Sequence, residues 1–188
     1  MIVKPSDALI VVDVQNTFCP GGTLPVVEGD KVVEPLNRVM PLFPGRVFAS
    51  MDWHPPDHCS FKEQGGIWPP HGVAGTEDAE LHPGLDRGGI TQIVQKGTTA
   101  ERDAYSALDG TGLAETLKAK GIERVFVGGL ATDYCVKATA LDARAAGFDV
   151  VLLADAARAV DVQPGDGDRA VAEMRDAGVV VAATADLE

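Results

Sequence analysis

Hydrophobic and polar positions fall in alternating blocks along this chain. Six short apolar runs rich in Val, Ile and Leu stand out: residues 8–13 (ALIVVD), 46–52 (RVFASMD), 91–96 (TQIVQK), 124–129 (RVFVGG), 149–155 (DVVLLAD) and 179–183 (VVVAA). Runs of this length and composition predict β-strands buried on both faces. Between them lie segments of helical period at 29–43, 111–120, 133–146 and 167–177. The last three are followed by Gly121, Gly147 and Gly178, each where a glycine ends a helix. Strands alternating with helices predict a three-layer α/β fold, a doubly wound and mainly parallel six-stranded sheet with helices on both faces.

One stretch breaks the alternation. Residues 53–90 hold five of the twelve prolines and seven of the 21 glycines, with three of the four histidines between His54 and His71, and no long periodic run. Irregular excursions of this length inside compact domains usually serve as lids or binding loops, so this one is expected to wall a pocket.

The length of 188 residues, with 45% hydrophobic and 23% charged, suits one compact domain over 1–188 and leaves no room for a second. Sixteen Lys and Arg stand against 28 Asp and Glu, a net charge of -12, and no basic block could track a phosphate backbone. The opening MIVKPSDALIVVDV carries Lys4, Asp7 and Asp13 and lacks the apolar core and cleavage site of a secretory signal. No later run approaches a membrane span. The expectation is a cytoplasmic protein with neither a nucleic-acid nor a membrane partner. Cys19, Cys59 and Cys135 are an odd, sparse set that makes a poor disulfide framework, so at least one thiol is free to react.

Reactive side chains cluster at the ends of the predicted strands. Asp13, Asp52 and Lys96 each close an apolar run, and Cys135 follows a fourth within a few residues. Ligands of open parallel sheets bind beyond the carboxyl ends of the strands, so these residues are predicted to share one pocket. Cys135, between a strand and a helix, would sit in the first helical turn, where backbone N–H groups and the helix dipole stabilise a thiolate. The same groups could hold an oxyanion. The plainer alternative for Cys135 is an inert buried side chain. Asp13 and Lys96 could form a structural ion pair. Beside a thiol they could instead supply a proton acceptor and a positive charge that lowers the cysteine pKa.

In MDWHPPDH, Asp52 and His54 are two apart on extended backbone and leave it on the same side, and His71 in GIWPPHG could complete the set. One carboxylate and two imidazoles suit one divalent ion, zinc, iron or manganese, with open positions for water or substrate. His58 could be a fourth ligand or a supporting donor, and His82 reads as a surface residue. Phe18, Trp68 and Tyr134 are placed either to line a flat apolar slot or to pack in the core.

Together these segments resemble the nicotinamidase and pyrazinamidase branch of the isochorismatase-like hydrolases. The resemblance runs nearly end to end through VVDVQNTFCPGGTLPV, MDWHPPDHCSF, WPPHGVAGTEDAELHP, QKGTTAERDAYSAL and VGGLATDYCVKATALDA. It implies a catalytic triad of Asp13, Lys96 and Cys135, metal ligands Asp52, His54 and His71, with zinc as the first choice of ion, and a ring pocket built with Phe18, Trp68 and Tyr105. It also implies a cis peptide between Leu130 and Ala131 that aims the Ala131 N–H, with that of Cys135, into an oxyanion hole. The implied activity is hydrolysis of nicotinamide to nicotinate and ammonia in NAD salvage, with pyrazinamide as an analogue substrate and a homo-oligomer as the possible assembly. Gly72 stands where many relatives carry a cysteine, and Cys59 where an aliphatic residue is usual. Neither departure touches the implied triad or ligands. The rival within the fold is another amidase acting on a carbamoyl or ureido substrate. Outside it the rival is a non-catalytic small-molecule binder on the same scaffold.

Overall fold

A computed structural model describes all 188 residues. In chain order the elements are β1 (Asp7–Val12), α1 (Val33–Val39), β2 (Val47–Asp52), β3 (Gln92–Lys96), α2 (Leu113–Ala119), β4 (Arg124–Leu130), α3 (Lys137–Ala145), β5 (Asp149–Arg158), α4 (Asp166–Asp176) and β6 (Val180–Ala182). The six strands form one sheet in the order β3-β2-β1-β4-β5-β6, every neighbouring pair parallel. The order reverses between β1 and β4, where a doubly wound sheet opens its ligand crevice. Asp13 follows β1 and Cys135 follows β4, so the two candidates with most chemistry leave the sheet at that switch point. No helix is long and apolar enough to cross a membrane.

The strand period of two sorts β1 between two cores. Leu9 and Val11 pack on one face with Leu36 of α1 and Phe126 of β4. Ala8, Ile10 and Val12 pack on the other with Leu113 and Leu117 of α2, Ala140 and Ala143 of α3, and Met174 of α4. Helices therefore cover both faces, one on the first and three on the second, and the irregular 53–90 segment adds Leu81 and Leu85 to the thinner layer.

Three expectations need correction. Burial on both faces belongs to the central strands; in β3 only Val94 and Lys96 are buried, and β6 is half-exposed, because these are the sheet's edges. The helix expected over 29–43 is a 3₁₀ turn (Gly29–Val32), α1 and a second 3₁₀ turn (Met40–Leu42). Pro41 has no N–H to continue the α-helical ladder, whereas Pro35 falls in the first turn, where none is needed. Finally, β1 stops at Val12, and Asp13 lies just beyond it with a left-handed φ of 48°. A non-glycine residue in that region costs about 1–2 kcal/mol, and the Asp13 N–H still donates to Ser50 O on β2 (3.2 Å).

Candidate active site

Four charged or ionisable groups meet in the interior beyond the strand ends. Lys96, 1% exposed, places its Nζ 2.9 Å from Asp13 Oδ2 and 2.5 Å from Asp52 Oδ1. It also donates to Ala104 O at 3.0 Å and to Cys135 Sγ at 3.4 Å. Asp13, Asp52 and Cys135 bring their side-chain oxygen and sulfur atoms within 4.8 Å of one another. Charges this deep persist only when paired, and here one ammonium serves two carboxylates.

The titration balance follows from that count. Burial alone would pull the Lys96 ammonium down, but Asp13 and Asp52 outweigh it and hold it well above its ordinary value. Burial raises Asp13 despite Lys96. The same burial at Asp52 is overcome by Lys96 and His54, which leave that carboxyl well below the usual range. The Cys135 thiol is pushed well above its ordinary value by burial; Lys96 opposes this and the two aspartates add to it. The expectation of a thiol acidified by Lys96 and a helix terminus is thus corrected. Desolvation wins, and the thiol is neutral near pH 7 until a neighbour takes its proton. The turn is also different: Cys135 lies in a π-helical turn, Thr132–Val136, ahead of α3, with the Val136 N–H reaching back to Ala131 O (3.1 Å). The peptide between Leu130 and Ala131 is cis.

Beside this cluster, Asp52, His54 and His71 turn their ligating atoms toward one point. Asp52 Oδ2 lies 3.5 Å from His54 Nε2 and 3.8 Å from His71 Nε2. Each imidazole donates its Nδ1 proton to a backbone carbonyl, His54 to Gly97 O and His71 to Pro69 O, both at 2.8 Å. That bond fixes the tautomer and turns the Nε2 lone pair inward, the arrangement that metal-ligating histidines use. Burial lowers His71, favouring the neutral, ligating form. At His54 burial pulls the same way, but Asp52 outweighs it and raises the value. The three side chains fit a divalent ion in donor type, spacing and tautomer. His58 is not aimed at that point. Its Nδ1 bonds Ser60 Oγ (2.8 Å), its Nε2 bonds Arg102 O (3.1 Å), and its ring stacks on His54 at 3.9 Å. His58 therefore buttresses a candidate ligand, and its second hydrogen-bonding nitrogen is already engaged.

The cluster opens into a pocket bounded by Phe18, Trp68, Tyr105, Tyr134, Ala131 and Cys135 among others. Trp68 donates its indole N–H to Tyr105 Oη (3.1 Å) and meets the Tyr134 ring edge-on at 5.1 Å, so three aromatics form one wall. Phe18 belongs both to this pocket and to the core behind it. The irregular 53–90 segment walls the pocket through Trp68 and His71. His82 stays outside it, partly exposed, accepting from the Gly84 N–H.

Several contributors were not picked out from the sequence. Gln15, fully buried, grips Asp52 from both sides, accepting its N–H (2.8 Å) and donating to its carbonyl (2.9 Å). Gly97, at φ 60°, leaves no space for a side chain: a Cβ there would lie 2.3 Å from His54 Cε1. Val160 reaches the pocket from beyond β5, where Asp133 accepts its N–H and that of Asp161. Ser50 hydrogen-bonds Asp13. Only Ser50 left a readable trace, a hydroxyl inside an apolar run two residues before Asp52 and so on the same strand face.

A doubly wound α/β protein with a buried thiol, ammonium and carboxylates at its switch point belongs to the class of isochorismatase-like hydrolases. The chain matches the Isochorismatase domain over residues 7–186 and is a member of that family. It is 40% identical to the nicotinamidase of Escherichia coli (strain K12), with 98% of each chain covered. Among solved structures it is similar to PnC1 from L. infantum in complex with nicotinate, at 43% identity and a TM-score of 0.95, covering 100% of this chain and 98% of that one. It is also similar to the pyrazinamidase of Pyrococcus horikoshii in complex with zinc, at 43% identity and a TM-score of 0.87, covering 95% and 99%.

Proposed function

We propose that this chain is a nicotinamidase, hydrolysing nicotinamide to nicotinate and ammonia for NAD salvage, with pyrazinamide as an analogue substrate. The observation that carries the reading is Asp13, fully buried, with Oδ2 free of any hydrogen bond and its carboxylate within 4.8 Å of the Cys135 sulfur, beside a flat aromatic pocket. A raised thiol pKa demands a local base, and a carboxylate whose own pKa is raised is a competent one.

Asp13 takes the thiol proton as Cys135 Sγ attacks the carboxamide carbon, and the Ala131 and Cys135 backbone N–H groups hold the oxyanion. Asp13 passes that proton to the nitrogen as the C–N bond breaks, and ammonia leaves a nicotinoyl thioester on Cys135. Asp13 then takes a proton from water, whose oxygen attacks the thioester carbon. The C–S bond breaks, the acid departs and loses its O–H proton to solvent as nicotinate, and the proton held by Asp13 returns to the thiolate. Lys96 keeps its proton throughout and balances whichever neighbour is anionic. Phe18, Trp68, Tyr105 and Tyr134 hold the ring flat within attack distance. Asp52, His54 and His71 would hold a divalent ion, zinc by donor set, which when bound supplies an acceptor site for the pyridine nitrogen and so orients the ring. The test is ammonia release from nicotinamide by the purified protein, with and without prior chelation. Absence of ammonia from metal-loaded protein overturns the reading.

A further inference from the structure

The two oxygens of Asp13 are not equivalent, and the difference traces to a residue outside the triad. Lys96 has three protons to donate. Asp52 Oδ1, Ala104 O and Cys135 Sγ accept them. Asp13 Oδ2 meets the ammonium as an ion pair at 2.9 Å that is not aligned as a hydrogen bond, and it is the one buried side-chain polar atom in the protein without a hydrogen-bond partner. Asp13 Oδ1 is engaged by the Ser50 hydroxyl at 2.6 Å. An ionised carboxylate only accepts, so Ser50 donates there. Both residues are fully buried, so no solvent competes for either oxygen.

Ser50 holds Asp13 at two points. It lies opposite Val12 in the β1–β2 ladder, and its carbonyl accepts the Asp13 N–H at 3.2 Å where the backbone turns left-handed. The hydroxyl adds the second contact, which stops the carboxyl group from rotating about its last torsion.

We propose that Ser50 is a positioning residue for the reaction: by occupying Asp13 Oδ1, it reserves Oδ2 as the acceptor of the Cys135 proton. Without the hydroxyl, the carboxylate is free to turn and exchange its oxygens, and Lys96 can redirect a donor to the one left bare. The proton acceptor is then no longer held toward the sulfur. The inference rests on the proposed role of Asp13 as base to Cys135, and it is independent of which amide is the substrate.

The experiment measures two quantities in wild type, Ser50→Ala, Ser50→Cys and Ser50→Thr: nicotinamide turnover, and the rate of Cys135 alkylation by iodoacetamide at fixed pH, located by peptide mapping. Ser50→Cys keeps the side chain's shape but only a weak donor, and Ser50→Thr keeps the hydroxyl. Turnover is expected to fall on the order of 10- to 100-fold in the Ala and Cys variants at unchanged KM, the size of a lost orienting contact. Alkylation is expected to slow in both, and Thr is expected to restore both quantities to within a few-fold. In an Asp13→Asn background, Ser50→Ala should slow alkylation no further, because a residue that acts only through Asp13 has nothing left to position. A fully active Ser50→Cys variant, or losses that add in the double variant, would overturn the proposal. If Thr proves too large for the site, the Cys variant and the double variant decide alone. Wild-type protein that releases no ammonia while Cys135 still alkylates would defeat the nicotinamidase reading, and the alkylation series would still judge Ser50.

Discussion

Strand β1 carries a buried aspartate at each end, and the two are wired differently. Asp7, at its start, has every oxygen occupied: Arg124 Nε donates to Oδ1 at 3.0 Å, Arg124 Nη2 to Oδ2 at 2.5 Å, and the Lys4 N–H to Oδ2 at 2.6 Å. Asp13, just past its end, shares its ammonium with a second carboxylate and keeps Oδ2 without a hydrogen bond. Arg124 remains 21% exposed, while Lys96 is sealed. The first pair is a saturated clasp between β1 and β4. The second is a charged interior with one acceptor to spare, and a spare acceptor beside a thiol is what proton transfer needs. Asp52 repeats the pattern. Its Oδ1 is taken by Lys96, and its Oδ2 is turned toward His54 and His71.

The largest effect should come from removing the group the spare acceptor serves. Cys135→Ala is expected to lower nicotinamide turnover by roughly 10⁴-fold or more while melting near the wild-type temperature, as loss of a covalent nucleophile does. Asp13→Asn should follow, at roughly 10²- to 10⁴-fold for a lost general base, with its bound metal retained on elemental analysis. Asp7→Asn in the same assay should turn over normally. A comparable loss there would erase the distinction between the two ends of β1.

The oxygen left over at Asp52 is probed through substrate and ion. Benzamide keeps the carboxamide but lacks the ring nitrogen, and it should be a poorer substrate by roughly 10²-fold or more, rising toward about 10⁴-fold if the site is built around that polar contact. That discrimination should collapse in His54→Ala or after chelation. Equal turnover of benzamide and nicotinamide by metal-loaded protein would remove the ion from ring recognition.

Stability should separate the same two aspartates, by a loss at Asp7 and by a change of pH slope at Asp13. Asp7→Asn breaks charge-assisted hydrogen bonds and is expected to cost about 1–3 kcal/mol in denaturant titrations. Asp13 is raised in the folded protein above the free carboxyl value of about 3.9. As pH rises past that value, the unfolded chain releases its proton first, so the wild type loses stability between about 3.9 and the raised folded value. Asparagine cannot ionise. Metal-free Asp13→Asn should therefore gain on the wild type between pH 4 and pH 7, the smallest effect of the series, and a variant less stable at pH 7 than at pH 4 relative to wild type would refute the sign.

The strands, the helices and the residues that end them were legible because burial imposes a period on the chain, and Asp13, Asp52, Lys96 and Cys135 stood out as polar residues where apolar runs stop. The local pattern therefore determined the α/β class, the edge of the sheet that carries the chemistry, and the residue types gathered there. What only the tertiary structure decided is how those groups share protons. Gln15 and Gly97 enter through contacts across 37 and 43 residues of sequence, which leave no trace in the chain, and Ser50 shows there only as a hydroxyl in an apolar run. His58 stays open between ligand and supporting donor in the sequence because spacing says nothing of ring orientation, and its bonds to Ser60 and Arg102 turn it to support His54. The direction of the Cys135 shift is hidden from the sequence for the same reason. Helix position and a nearby lysine are visible in sequence, but full desolvation is a property of the packed interior, and at this site it is the larger force.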